Sequence, residues 1–249
     1  MHGRNAVIRA LFLAAFVLLA SGPARAQALI ADLSSHLIAI TTGFAGTELL
    51  LFGATEGEGD VVVIVRGPDG ETSVRRKARV AGIWINRDEL RFAGVPTFYR
   101  IASSKPLADF VPLALRQRHQ IGVDFLRLAP QREVGSEEAA AFRAGMVRNK
   151  EAQKLYEPEV GRVSFLGPRL FRTRILFPAN VPTGNYSVEV LLIRGGQVIA
   201  AQTTPMFVSK VGFGADVYDF AHEWAALYGL LAILLAVSAG WAAGLIFRK

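Results

Sequence analysis

An apolar run without Asp, Glu, Lys or Arg extends from Trp224 to Phe247 (WAALYGLLAILLAVSAGWAAGLIF), and Arg248 and Lys249 follow it. A hydrocarbon core about 30 Å thick is crossed by about 20 apolar residues in a helix, and the run has that length. A charge at its centre would cost roughly 2.5 to 3.5 kcal/mol on insertion scales, against a few tenths gained per Leu or Ile. Its uncharged character therefore predicts a membrane span over 224–247 in preference to a buried core helix. Whatever precedes it must fold as a body held by one anchor.

The N-terminal stretch reads as a secretory signal peptide over 1–26. It carries Arg4 and Arg9, an apolar run from Ala10 to Ala20, the breakers Gly22 and Pro23, and small residues on either side of Arg25 at Ala24 and Ala26. That order predicts cleavage after Ala26, and the apolar run is too short to be an uncleaved anchor. A removed signal followed by a C-terminal span sends residues 27 to about 223 across the membrane. It leaves 248–249 as a cytoplasmic tail, as the positive-inside rule favours.

The net charge of +7 suggests a nucleic-acid partner only until it is apportioned. Setting aside Arg4, Arg9, Arg25, Arg248 and Lys249 leaves 23 of the 28 basic residues against 21 acidic ones, so most of the excess belongs to topology and not to a binding surface. The chain contains no cysteine, which excludes disulfides, thiolate catalysis and cysteine metal sites. An exported body of this size must hold together by its own core.

Strand patterns dominate two blocks. His36 to Phe44 alternates, Thr47 to Ala54 is apolar, and Val61 to Val65 is an unbroken β-branched run of the kind buried on both faces. Gly67-Pro68-Asp69-Gly70 has the composition of a hairpin turn, and the return strand places Val74, Ala78 and Val80 opposite Arg75, Lys77 and Arg79. Gly82 to Asn86 extends that arm. In the second block Phe171, Ile175 and Phe177 alternate with Arg172 and Arg174. Tyr186, Val188, Val190 and Leu192 then alternate up to a tight turn at Gly195-Gly196, and Gln197 to Ser209 supplies the last strand or two.

Between the blocks the pattern changes. Pro96, Pro106 and Pro112 break the chain, a short kinked helix is expected from Pro106 to Gln117, and a longer one from an N-cap at Ser136 to about Tyr156. Neither β block alone makes a sandwich, but together they supply about seven strands in roughly 110 residues, the size of an immunoglobulin-like domain. The expected fold class is therefore mainly β: an immunoglobulin-like sandwich built discontinuously from 27–86 and 160–213, a mostly helical insertion over 87–159, and one C-terminal transmembrane helix. Pro182, Gly184 and Tyr186 have the arrangement of the corner where a Tyr hydroxyl bonds back to the backbone before the penultimate strand.

Four stretches, DLSSHLIAITTGFAGTELLLFGAT (Asp32 to Thr55), GPDG from Gly67, GIWINRD (Gly82 to Asp88) and FPANVPTGNYSVEVLLIRGG (Phe177 to Gly196), resemble a functionally uncharacterised family of alphaproteobacterial transmembrane proteins. The resemblance covers nearly all of the chain after the signal. It implies a β-rich periplasmic domain on a C-terminal span and carries no catalytic residues with it. Members often sit beside sulfite-exporter-type permeases, which implies a transport-linked partner.

Chemistry-bearing motifs are sparse. His2, His36, His119 and His222 form no close ligand pair, and neither a Walker A sequence nor a G-x-G-x-x-G occurs. Asp32, Ser34, Ser35 and His36 suggest a triad, but neighbours on an extended strand point to opposite faces and no G-x-S-x-G elbow exists. Two features remain as candidates. Arg75, Lys77, Arg79, Arg172 and Arg174 could bind an oxyanion or a headgroup layer, or form a solvated face that discourages edge pairing. Ala232, Ala236, Gly240 and Gly244 recur every four residues and allow close approach of another membrane helix.

The expectation is a non-enzymatic interaction or accessory module, without cofactor or metal, anchored singly in a bacterial inner membrane with its main domain periplasmic. Its partner would be a polytopic membrane protein or a second copy. The alternatives are an anion- or lipid-headgroup-binding domain and, with less support, a tethered hydrolase. A reporter fused after Lys249 is expected to be active on the cytoplasmic side alone; activity on the far side alone would overturn this topology.

Overall fold

The computed structural model describes residues 28–246, so the expected signal peptide and the basic tail at 248–249 lie outside the described residues. Two sheets make the body. The first pairs β1 (Leu29–Leu33), β3 (Gly46–Thr55), β11 (Leu170–Pro178) and β10 (Ser164–Phe165) in that order. The second pairs β2 (Leu37–Ile40), β13 (Gln197–Lys210), β12 (Gly184–Arg194), β4 (Asp60–Arg66), β7 (Tyr99–Ser103) and β9 (Gly161–Arg162). Within the second sheet β2 runs parallel to β13 and β9 parallel to β7, and the other pairs are antiparallel. Both sheets take strands from either side of the helical segment: β1 and β3 with β11 and β10 in the first, β4 with β12 and β13 in the second.

Side-chain alternation explains which faces meet. Leu29, Ala31 and Leu33 of β1, Leu49 and Leu51 of β3, and Phe171, Ile175 and Phe177 of β11 are buried, while Arg172 and Arg174 face outward. Val61 to Val65 are all buried, because one face of β4 meets the first sheet and the other is covered by the helical segment. Phe98 stacks on Phe177 at 4.9 Å, and Tyr186 closes the group edge-on to Phe177 at 6.1 Å, joining the two sheets at one end. The Tyr186 hydroxyl donates to Pro182 O at 2.6 Å, as the Pro-x-Gly-x-Tyr pattern predicts. At Gly195-Gly196 both residues have positive φ, the geometry of a two-residue hairpin.

The structure corrects the expected turn at Gly67. β4 does not pair with β5 (Asp69–Val80), which belongs to a third sheet with β6 (Ile83–Pro96) and β8 (Ala129–Pro130). The reversal falls at Ala81-Gly82, both at positive φ, between the paired Val80 and Ile83. Gly67 and Pro68 lie in extended chain: Gly67 N donates to Phe98 O at 2.8 Å, and Thr97 N donates to Pro68 O at 2.9 Å. Pro68 accepts in this ladder where it cannot donate, so turn-like composition did not produce a turn.

The segment expected as a helical insertion over 87–159 begins with strand. β6 continues to Pro96, and β7 inserts into the second sheet beside β4. The helices occupy a shorter stretch: α1 (Leu107–Phe110) and α2 (Leu113–His119), separated at Pro112, then α3 (Ser136–Ala152). Gly135, not Ser136, is the N-cap of α3, and the helix stops four residues before Tyr156, where Lys154 adopts φ 59°. The strand expected over His36 to Phe44 is confined to β2. A further helix that the sequence did not suggest, α4 (Phe213–Glu223), precedes α5 (Ala225–Ile246).

Tyr186→Phe is expected to lower unfolding free energy by about 1–2 kcal/mol, because Pro182 O loses its donor in a partly buried corner. Denaturant titration of the purified full chain measures it.

Candidate functional site

The hydrogen bonds at Gly67 and Thr97 join two ladders into one ribbon. Arg66 pairs with Tyr99 inside the sandwich, Asp69 pairs with Pro96 beyond it, and Val80 pairs with Ile83 at the far end. At about 3.4 Å per residue, the β5–β6 part is about 40 Å long. A bulge interrupts it: Arg76 pairs with Asp88 and Lys77 with Asn86, so Arg87 is the extra residue on β6. Because side chains alternate, the bulge brings Ile83 and Ile85 onto the face that holds Leu90 and Phe92.

That face is covered at its root and bare at its tip. Val74, Leu90 and Phe92 are buried, and the Arg76 guanidinium lies over the Phe142 ring of α3 at 4.6 Å. Beyond this, Val80 and Ile85 are exposed, and Ile83 and Trp84 retain 68% and 65% of their surface. The sequence showed GIWIN as arm, but with the reversal assigned to Gly67 its three large apolar side chains did not stand out as an exposed end. The signal was their position beside a two-residue turn.

The expected basic residues divide between two sheets. Arg75, Lys77 and Arg79 lie on the ribbon face opposite Val80, whereas Arg172 and Arg174 lie on the outer face of β11, so the structure does not bring them together as one patch. Several are engaged. Arg75 Nε meets Glu89 at 2.9 Å, Arg91 Nε meets the same carboxylate at 3.0 Å, and Arg174 meets Glu48 at 3.3 Å. Hydrogen bonds from Arg75, then Arg91 and Ser73, pull the Glu89 carboxyl down to about 2. Arg79 donates to Gly82 O at 3.3 Å, bracing the turn.

The histidines are dispersed among separate local contacts. His36 Nε2 meets Asp32 at 3.1 Å on the surface; the chain bends between β1 and β2, so this pair forms despite the strand argument against it. Neither serine completes a triad: Ser34 Oγ accepts from Leu50 N, and Ser35 Oγ bonds to the backbone at Leu37. His222 Nδ1 contacts Tyr218 O at 2.9 Å. His119 lies 3.4 Å from Glu189, whose other oxygen meets Arg66 at 3.1 Å.

The His119 group works as a latch. Arg66 also donates to His119 O, and the Tyr99 hydroxyl donates to Gln120 O and accepts from Gly122 N, so the end of α2 is bound to the outer face of the second sheet. Burial pushes the Tyr99 phenol up to about 12, which keeps it a donor. Among the described residues no group of three or more His, Asp or Glu side chains is placed to hold a metal. Two open clefts of about 790 and 600 Å³ are lined without histidine, and each holds one ion pair, Lys105 with Asp60 and Arg100 with Glu157, beside a further acid and base, Glu58 and Arg194 in the first and Glu151 and Lys154 in the second.

α5 is long and apolar enough to cross a membrane, and none of its apolar window is buried in the body. Ala232, Ala236, Gly240 and Gly244 follow one another at four-residue intervals along it, and neither glycine has a neighbour within 4 Å of a Cβ position. α4 meets α5 at Trp224, where the backbone leaves helical geometry.

Among the described residues, a mainly β body with three sheets and one C-terminal helix long and apolar enough to cross a membrane defines the class. Residues 28–249 match the family described as "Putative transmembrane protein (Alph_Pro_TM)", and the chain belongs to that family. No curated protein and no solved structure matches it.

Glu89 supplies a pH test of the ribbon. Its folded-state value lies below the ordinary 4.5, so its contribution is present above pH 4.5 and is lost as pH falls toward 2. Amide protection across Ser73 to Arg91, taken relative to the intrinsic exchange rate at each pH, is expected to fall over that window, and Glu89→Gln is expected to remove this part of the pH dependence.

Proposed function

We propose that this is a non-enzymatic interaction or accessory module, held by α5 in a bacterial inner membrane after removal of its signal peptide. On this reading its immunoglobulin-like body is periplasmic, its C-terminus is cytoplasmic, and it serves a polytopic membrane partner such as a transporter. One observation carries the reading: none of the apolar window of α5 is buried against the body, and Val80, Ile83, Trp84 and Ile85 stand exposed side by side at the ribbon tip, whereas the other exposed apolar side chains are scattered over the body. Family membership supports the membrane setting. The basic residues at 248–249, beyond the C-terminal end of the apolar run, support the orientation. The small-residue ridge of α5 would be the helix-packing face, toward a sulfite-exporter-type permease by the family resemblance, or toward a second copy.

A headgroup- or anion-binding role is the second reading, favoured by the cationic ribbon face opposite Val80. A tethered hydrolase has less support, because His36, His119 and His222 each have separate partners.

Crosslinking and affinity capture in mild detergent is expected to recover a polytopic membrane protein with the wild-type chain. Gly240→Leu with Gly244→Leu is expected to reduce that recovery several-fold. Recovery of the chain alone, unchanged by the double substitution, would overturn the partner reading.

A further inference from the structure

The ribbon tip has an apolar face whose continuation is covered. Thr72, Val74 and Arg76 of β5 share a face with Ala78 and Val80, and across the ladder Leu90 and Phe92 share it with Ile83 and Ile85. α3 lies against the root half. The distal half is bare, although the bulge at Arg87 is what brings its isoleucines to that side. An exposed strand end with this much apolar surface is a liability unless something occupies it.

Charge and placement both bear on the occupant. From Arg75 to Arg87 the ribbon carries five cations and no acid, and the face opposite the isoleucines presents Lys77, Arg79 and Trp84. Cations beside an apolar edge with an indole between them suit the headgroup layer of a bilayer, where Trp settles at the interface and cations meet lipid phosphates. The ribbon also rises from the end of the body where the chain leaves for α4 and α5. Val208 near the end of β13 pairs with Gly184, and Ser187, three residues along, pairs with Arg66 at the ribbon root. Pro68 lies so close to Gly184 that a Cβ there would be 2.8 Å from its Cγ.

We infer that the β5–β6 tip is a second, non-spanning attachment: Val80, Ile83, Trp84 and Ile85 enter the headgroup region of the leaflet that faces the body, and Lys77 and Arg79 engage anionic lipid phosphates. This rests on the membrane-anchored reading above and adds a lipid contact to it. The body is then held at two points, the span and the ribbon, which restricts its tilt over the membrane.

The test uses the full chain, which has no cysteine, so a single introduced thiol is a unique label. Ile83→Cys and, as a control in the turn region at the other end of β12 and β13, Gln197→Cys are labelled with an environment-sensitive fluorophore. Each is reconstituted without other proteins into phosphatidylethanolamine–phosphatidylglycerol vesicles. The Ile83 probe is expected to shift to the blue and to be quenched several-fold more by shallow spin-labelled lipid than the Gln197 probe. Lys77→Glu with Arg79→Glu, or vesicles of phosphatidylcholine, are expected to reduce the difference. Equal quenching at the two sites would overturn the inference. So would a shift that disappears as protein is diluted into excess lipid, since that outcome assigns the tip to a second copy. Retention in vesicles through carbonate washing reports the span separately, so loss of the anchor and loss of the tip contact are distinguishable.

Discussion

The structure depends on the pairing of β4 along both of its edges. On one side it bonds to β12 over Asp60 to Arg66, on the other to β7 over Val62 to Arg66. Those bonds satisfy the backbone of a strand whose valines and isoleucine have no access to water. A β-branched run can be this deeply buried only if both faces are covered, which requires the first sheet below and the helical segment above. The latch of Arg66, Glu189, His119 and Tyr99 follows from that need. It places charged and hydroxyl groups at the rim of the covered face, so the helices are oriented by hydrogen bonds from Arg66 and Tyr99, with Arg66 also paired to the oppositely charged Glu189.

The same strand gives the ribbon its origin. Because β4 and β7 stay in register through Gly67, Pro68, Thr97 and Phe98, the ladder leaves the sandwich without a turn and continues into β5 and β6. Phe98 sits where the ladder changes from three-layered core to projecting arm, stacked on Phe177 and near Tyr186. Core packing and projection therefore share residues. The arm is an extension of a core strand pair and not a loop attached to it.

Much of the body was legible in the sequence, because alternation and double-sided burial are local signals. Phe171, Ile175 and Phe177, the Val61 to Val65 run, the Gly195-Gly196 hairpin and the Tyr186 corner each follow from spacing within a few residues. The arm was not legible, for a reason of the same kind. Gly67-Pro68-Asp69-Gly70 has turn composition, and what keeps it extended is its pairing with Thr97 and Phe98, thirty residues later. Arg87 to Pro96 was hidden in the same way: Leu90 and Phe92 alternate, but charges and a proline surround them. The candidate residues fared according to their context. Arg75 and Arg174 have carboxylate partners on adjacent strands, and the exposed end at Ile83 to Ile85 became visible only with the reversal at Ala81-Gly82.

The parallel pairing of β2 with β13 has a mechanical consequence. β13 is the strand that leads to α4 and α5, and it is held along its length by antiparallel bonds to β12 and, over Phe207 to Lys210, by parallel bonds to β2. Traction on the chain beyond Lys210 would load these ladders along the strand axis. The cross-bonds then resist together in shear, whereas a strand peeled from its tip gives way one bond at a time.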